Sequence, residues 1–265
     1  MQKHPRNTRF DWQARKAPFE LLTEAQAAQY DRDGWFILPG AFSTEELSAM
    51  TAAIDPLEQR ASEVLAQQLA AGERPLTISR PDEITFTTHL VLRSPTLRRF
   101  SRHPTLTSLA KDLLGAAVRL YWDQAVYKKP GNPEEFPWHQ DNGYTYIEPQ
   151  QYLTCWIPLV DATLENGCPW VVPGLHRTGT LAHRLSALGL QCFENHPEAV
   201  AAPVAAGDVL VFSSLTPHRT GPNLSDEVRK AYILQYAPDG VVGWPFGYDG
   251  ETGVLQNHPD RQYLL

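Results

Sequence analysis

From Val118 onward the chain is written in short runs of Val, Ile, Tyr, Trp and Thr, broken by Pro, Gly, Asn and Asp. No other feature constrains the fold as much. Val118 to Lys128, Tyr152 to Val160, Trp170 to Val172, Val209 to Phe212 and Val228 to Tyr236 each have the length and residue types of a strand. Several short strands with frequent turn signals between them predict an antiparallel sandwich or jelly roll. The residues ahead of Val118 read differently. Thr23-Glu24-Ala25-Gln26 matches a capping box and predicts a helix that stops near Gly34, then a brief buried strand from Trp35 to Leu38 and a turn at Pro39-Gly40. A second box, Ser43-Thr44-Glu45-Glu46, opens a longer helix. Its apolar stripe is Leu47, Met50, Ile54, Leu57, Val64, Leu65 and Leu69; Pro56 is expected to kink or divide it, and Gly72 to Pro75 to end it. Ile84 to Leu92 is β-rich, and Pro95 to Leu114 reads as another helix, closed by Gly115.

The expected fold is therefore mainly β with N-terminal helices, in a single domain over residues 1–265. Residues 1–115 form a mostly helical part packed on a jelly-roll core at 116–240, and 241–265 is a C-terminal tail. No linker divides the chain. The first twenty residues are expected to lie over the surface. The connection from Gly174 to Pro203 is poor in strand signals, and a connection that long is expected to act as a lid or binding loop.

Composition excludes several classes of partner. A hydrophobic content of 42% with 20% charged residues is that of an ordinary globular protein. A net charge of -7 and a pI near 5.7 argue against nucleic acid, because no basic stripe is present to neutralise phosphates. No apolar stretch approaches the roughly 20 residues of a membrane span, and the polar N-terminus has no apolar core of a signal peptide. Cys155, Cys168 and Cys192 are odd in number and at no metal-binding spacing, which predicts reduced thiols in a cytoplasmic protein.

The chemistry is concentrated in Phe136-Pro137-Trp138-His139-Gln140-Asp141-Asn142-Gly143-Tyr144. Residues two apart in an extended segment point the same way, so His139 and Asp141 aim at one place. They make two-thirds of a 2-His-1-carboxylate triad for non-haem iron. The third ligand must come from far along the chain, and His218 in Thr216-Pro217-His218-Arg219-Thr220 offers it, just past the apolar run Val209 to Phe212. Arg229 follows eleven residues later. Alternation puts it on the face of Ala231 and Ile233, opposite Val228, Lys230, Tyr232, Leu234 and Tyr236, without deciding which face is inward. Outward, it would sit beside Asp226 or Glu227. Inward, a buried guanidinium requires an anion, and a bidentate carboxylate is the natural guest. The H-x-D pair, the distal His and an inward Arg together specify a site for Fe(II) and a dicarboxylate cosubstrate.

The chain resembles the phytanoyl-CoA dioxygenase family of Fe(II)/2-oxoglutarate oxygenases, which also includes ectoine hydroxylases. The resemblance runs through Asp31 to Gly40, Lys129-Pro130-Gly131, Trp138 to Asp141, Glu165-Asn166-Gly167-Cys168, Pro173-Gly174-Leu175-His176, Ala206-Gly207-Asp208-Val209 and the block from His218 to Tyr236. It implies a double-stranded β-helix, the cupin-like jelly roll, with His139, Asp141 and His218 as iron ligands. Arg229 matches the arginine that pairs with the distal carboxylate of 2-oxoglutarate, with Thr220 beside it. Trp156 and Gln124 match residues near the cosubstrate. Leu175 departs from the family's usual Ser in that loop. The activity implied is a dioxygenase that uses O2 and hydroxylates an unactivated C–H of a small metabolite, releasing succinate and CO2; a carboxylate at Asp141, where halogenating relatives have a small residue, favours hydroxylation. Tyr144, Tyr146, Trp170, His176 and the connection from Leu175 to Ala202 are candidates for the substrate pocket. Two other readings share the ligands: a cupin-like metal-dependent isomerase without an oxo acid, and a non-catalytic module that binds 2-oxoglutarate or a metabolite. A monomer or homodimer is expected.

Overall fold

The computed structural model describes residues 1–75 and 77–265. Six antiparallel strands form the larger sheet, in the order Trp35–Leu38, Val209–Ser213, Leu153–Pro158, Arg229–Pro238, Val118–Lys128 and Ile84–Thr88. A second sheet runs Val200–Ala201, Pro169–Val171, His218–Thr220 and Phe136–His139. Together they make the jelly roll that the strand texture predicts. A smaller three-stranded sheet joins Val254–Leu255, Val242–Pro245 and Thr145–Glu148 beside it.

The larger sheet is buried on both faces, and period-two alternation sorts its side chains between them. Along Arg229–Pro238, Tyr232, Leu234 and Tyr236 join a core with Cys155, Ile157, Val209 and Val211 and with the helical residues Met50, Ile54, Leu97, Leu106, Leu109 and Leu113. Ala231 and Ile233 turn the other way and pack with Val126, Trp156, Leu210 and Phe212 between the two sheets. Register fixes this: Ile233 lies opposite Gln124 on one side and Trp156 on the other. The face carrying Arg229 therefore looks into the jelly roll.

The helical part differs from the sequence reading in four places. Thr44–Ala70 is one helix through Pro56. Pro56 and Ala52, four residues earlier, are both exposed, so the carbonyl that loses its intrahelical donor faces water. Val64 and Leu69 are also exposed, whereas Glu58 is buried and accepts hydrogen bonds from Thr85 Oγ1 at 2.6 Å and Lys129 Nζ at 2.9 Å. The single helix expected from Pro95 to Leu114 is two, Pro95–Phe100 and Pro104–Leu114. Pro104 disfavours the helical conformation at the residue before it, and His103 takes an extended ψ of 136° to cap the second helix. Ile84 to Leu92 is a strand only to Thr88, then a short 3₁₀ turn at Leu90–Leu92.

The N-terminal arm does more than lie on the surface. Asn7 is buried and donates from Nδ2 to the carbonyls of Thr178 and Thr180, both at 2.9 Å, and Trp12 packs edge-on against His176 with ring centroids 4.3 Å apart. The arm thus straps the 174–203 connection, which holds the 3₁₀ turn Leu175–Thr178 and the hairpin Arg184–Ser186/Gly189–Gln191.

A continuous helix through an exposed proline predicts that Pro56→Ala stabilises the protein. The expected gain is about 1–2 kcal/mol, from a helix penalty of about 3 kcal/mol offset by about 1 kcal/mol of lost unfolded-state restriction. Urea denaturation checks it, and a lower midpoint for the variant contradicts the account.

Candidate active site

His139 ends the strand Phe136–His139, and Gln140 stays extended at φ -106°, ψ 141° before the chain turns at Asp141–Gly143. That one extra extended residue brings Asp141 to the same side as His139. Gln140 points the opposite way and is fully buried. Its Nε2 donates to the carbonyls of Gly179 and Leu215 at 3.1 and 2.6 Å, and its Oε1 accepts from Leu181 N at 2.6 Å. Gln140 N donates to His183 Nε2 at 2.9 Å. A Cβ on Gly143 would fall 2.3 Å from the His183 ring, so this turn closes only with glycine there.

His218 lies past the end of the strand Val209–Ser213, as the sequence suggests, and opens a further strand, His218–Thr220, directly opposite His139. The two imidazoles lie 4.1 Å apart by ring centroid. Asp141 Oδ1 is 3.8 Å from His139 Nε2 and 3.6 Å from His218 Nε2, and the candidate ligand atoms of all three residues fall within 4.8 Å of one another. Backbone carbonyls fix the tautomers. His139 Nδ1 donates to Pro137 O at 2.8 Å and His218 Nδ1 to Thr216 O at 3.0 Å, which leaves each Nε2 lone pair facing the convergence point. Burial, with the neighbouring His218 as a second cause, pushes His139 down to about 3, and burial pushes His218 down to about 4, so both rings are neutral. Burial raises the Asp141 carboxyl, against the pull of His139 and of Thr154, whose Oγ1 donates to Oδ2 at 2.5 Å. Two neutral imidazoles and a carboxylate converging this closely suit a divalent metal of the iron type.

Arg229 is fully buried, and Nε, Nη1 and Nη2 all lack a hydrogen-bond partner among the described residues. Its guanidinium carbon stands 5.3 Å from the Trp156 ring. Burial lowers the guanidinium to about 10, so it keeps its charge at neutral pH. An unpaired buried cation costs several kcal/mol and calls for an anion. A 2-oxo dicarboxylate fits that demand.

All seven residues singled out from the sequence (His139, Asp141, His218, Arg229, Thr220, Trp156 and Gln124) border one cavity. Thr154 and Gln235 border it too and had no sequence signal, because their parts depend on which strands become neighbours. Gln235 Nε2 donates to Thr154 Oγ1 at 3.3 Å, behind the Asp141 contact.

The structure separates the substrate-side candidates, each of which the sequence allows to be structural instead. A wider cavity of about 780 Å³ shares His139, Asp141, Gln124 and Gln235 with the first. Of the four candidates only Tyr144 borders it, with its hydroxyl accepting from Leu190 N at 3.1 Å. Tyr146 is stacked on His4 and donates to Arg6 O. Trp170 packs under the Arg219 guanidinium, and His176 is buried beside Trp12. The 174–203 connection packs behind the wall through Leu188 and Leu190 instead of forming it. Pro75, Thr77, Ile78, Phe86 and Thr88, with Gln256, Arg261 and Gln262 of the C-terminal tail, border the cavity in their place.

Solved structures share this fold. The alpha ketoglutarate dependent carbocyclase SnoK from nogalamycin biosynthesis is 25% identical with a TM-score of 0.71, covering 92% of this chain and 96% of its own. The epimerase SnoN, solved with Fe3+ and alpha ketoglutarate, is 25% identical with a TM-score of 0.70, covering 91% and 97%. Among curated proteins, phytanoyl-CoA dioxygenase domain-containing protein 1 of Bos taurus is 27% identical over 84% of this chain and 92% of its own. Ectoine dioxygenase of Sphingopyxis alaskensis is 26% identical over 86% and 80%. With the geometry above, these likenesses define a 2-oxoglutarate-dependent dioxygenase that uses non-haem iron. The chain belongs to the phytanoyl-CoA dioxygenase (PhyH) family, whose model matches residues 30–231.

Two measurements check the site. Thr154→Val removes the donor to Asp141 while keeping the shape, and should weaken Fe(II) affinity by about 10- to 100-fold in an anaerobic titration; unchanged affinity contradicts the orienting role. Burial also lowers His176 and His183 to about 4, alongside His139 and His218. With folded values below the unfolded value of about 6.5, the unfolded chain takes up protons first as pH falls. The stability held by these neutral rings is complete above about pH 6.5 and is lost progressively towards about pH 4. Denaturation midpoints of metal-free protein should therefore fall from pH 7 to pH 5, and a flat profile contradicts the assignment.

Proposed function

We propose that His139, Asp141 and His218 hold Fe(II), that Arg229 anchors the distal carboxylate of 2-oxoglutarate with Thr220, Trp156 and Gln124 around it, and that the enzyme hydroxylates an unactivated C–H of a small molecule. The observation that carries this reading is Arg229: a fully buried guanidinium with no partner, in the wall of the cavity that holds the triad. When bound, iron and the oxo acid supply the oxidising chemistry, with O2 consumed and succinate and CO2 released.

The chain's own residues do the positioning. Thr154 fixes Asp141 through Oδ2 and leaves Oδ1 turned to the imidazoles. The carbonyls of Pro137 and Thr216 hold both rings in the tautomer that presents Nε2. Arg229 sets where the oxo acid ends, and its flat fork suits a carboxylate. Gln124 Oε1 accepts from Trp122 Nε1 at 3.1 Å, which leaves its amide NH2 for the cavity. Phe136, Phe212, Trp156 and Ile233 exclude water around these groups.

SnoK and SnoN, described as a carbocyclase and an epimerase, are both alpha ketoglutarate dependent, so the outcome of the reaction depends on how the substrate lies against this site. An isomerase without an oxo acid has no use for Arg229, and a binding module has no use for a complete triad. We further propose a single domain over residues 1–265, acting in the cytoplasm as a monomer or homodimer on a small molecule and not on nucleic acid. Three free cysteines, the net charge of -7 and the lack of a membrane-crossing helix among the described residues support that placement.

Arg229→Ala should weaken 2-oxoglutarate binding by about 100-fold, the loss of roughly 3 kcal/mol of charge-assisted hydrogen bonding. The visible charge-transfer band of the anaerobic Fe(II) protein, titrated with 2-oxoglutarate, measures it. Unaltered affinity in the variant sinks the assignment of Arg229.

A further inference from the structure

The wider cavity carries one positive charge that the iron and oxo-acid sites do not use. Of the described residues bordering it, only Arg261 and Asp141 bear a formal charge, and Asp141 belongs to the triad. Arg261 Nη1 donates to His89 Nε2 at 2.7 Å. It enters none of the ion pairs among the described residues. A cation supported by a neutral acceptor retains its full charge and its remaining donors for an incoming anion.

The setting is built to hold that side chain in place. His89 sits at φ 55°, ψ 44°, the only non-glycine residue with positive φ among those described, in a conformation that costs of order 1 kcal/mol or more and persists only where its surroundings impose it. Its N–H donates to Asp123 O at 2.9 Å, and its ring meets Trp122 with centroids 4.3 Å apart. Burial and the charge of Arg261 lower His89 to about 4, so it stays the neutral acceptor at physiological pH. The tail that carries Arg261 is fastened to the larger sheet: Arg119 Nη1 donates to Gln262 O at 2.8 Å, Leu120 N to Tyr263 O at 3.1 Å, and Gln262 Nε2 to Tyr121 O at 3.3 Å. The cavity that Arg261 borders has an aromatic and amide-bearing wall, with Trp122, Tyr121, Phe86, Gln256 and Gln262. A volume of about 780 Å³ has room for a molecule well beyond the size of an amino acid.

We propose that Arg261, backed by His89 and beside Trp122, recognises the carboxylate of an aromatic substrate and holds its body against the wall that leads to His139 and Asp141. This rests on the oxygenase reading of that site. A bulkier polyanion such as a coenzyme A thioester is disfavoured, because one guanidinium supplies the only free positive charge on this wall.

The test titrates 2-naphthoate and its neutral analogue 2-naphthamide into the full-length protein, loaded anaerobically with Fe(II) and saturating 2-oxoglutarate so that Arg229 is occupied. Calorimetry should give about tenfold tighter binding of the naphthoate, the scale of one charge-assisted hydrogen bond. Arg261→Gln should abolish the preference while naphthamide affinity stays within about twofold. Arg261→Lys, which keeps the charge without the fork, should reduce it to about threefold and serves if the Gln variant does not fold. Equal affinities in the wild type overturn the proposal, as does a preference that survives undiminished in either variant. The visible band of the same samples reports on the cosubstrate site separately. Its absence overturns the iron and oxo-acid assignment, whereas the drop in the naphthoate ratio from wild type to Arg261→Gln, with Arg229 intact in both proteins, reads Arg261 in either case.

Discussion

The guanidinium of Arg229 lies fully buried without a hydrogen-bond partner among the described residues, and the rest of the architecture is arranged around that uncompensated charge. Such a group persists in a fold only where its surroundings offset it or a ligand completes it. Here the larger sheet offsets it. With helices packed on one face and the jelly-roll interior on the other, the central strand is fixed in register on both sides, and Arg229 has no route to solvent. The face of Trp156 is its nearest favourable surface. A carboxylate bound against it would relieve that cost.

The same logic orders the triad. His139 and His218 face each other across two paired strands, and each is locked by a carbonyl two residues earlier in its own chain. Asp141 is reached by one extended residue and steadied from the larger sheet by Thr154 and, behind it, Gln235. Four segments separate in sequence therefore hold one set of atoms with little freedom, which is the condition for a site whose geometry precedes its ligand.

Much of this was legible in the residues. The capping boxes at Thr23 and Ser43 start helices as read, because a cap is local chemistry that tertiary packing rarely overrides. The strand runs were found for a similar reason, since β-branched and aromatic residues between turn formers leave few alternatives. Pro104 was underweighted: it restricts the residue before it and so splits one helix into two. Pro56 was overweighted, because a proline on the wet side of a long amphipathic helix removes a hydrogen bond that water replaces. The residues around the wider cavity were not legible for a different reason. Trp170, Tyr146 and His176 lie near the motif in sequence or in the loop that follows it, but proximity along a chain does not determine which side of a sheet a residue reaches. The cavity beside the triad is bordered instead by Thr77, Ile78, Phe86 and Thr88 and by Gln256, Arg261 and Gln262 of the tail, which carry no local mark of that position.

The sequence by itself determined the donor set and its spacing: an H-x-D in an extended run, a distant His after a core strand, and an Arg at a strand position of fixed parity. Those are properties of residue type and of the two-residue period, and they hold whatever the strands pair with. Only the tertiary structure decided which parity faces inward, that His218 lies opposite His139, and that Thr154, Gln235 and Arg261 border two cavities that share His139 and Asp141. Inwardness and adjacency are consequences of which surfaces are buried against which, and no segment carries that information until the helices have covered one face of the sheet.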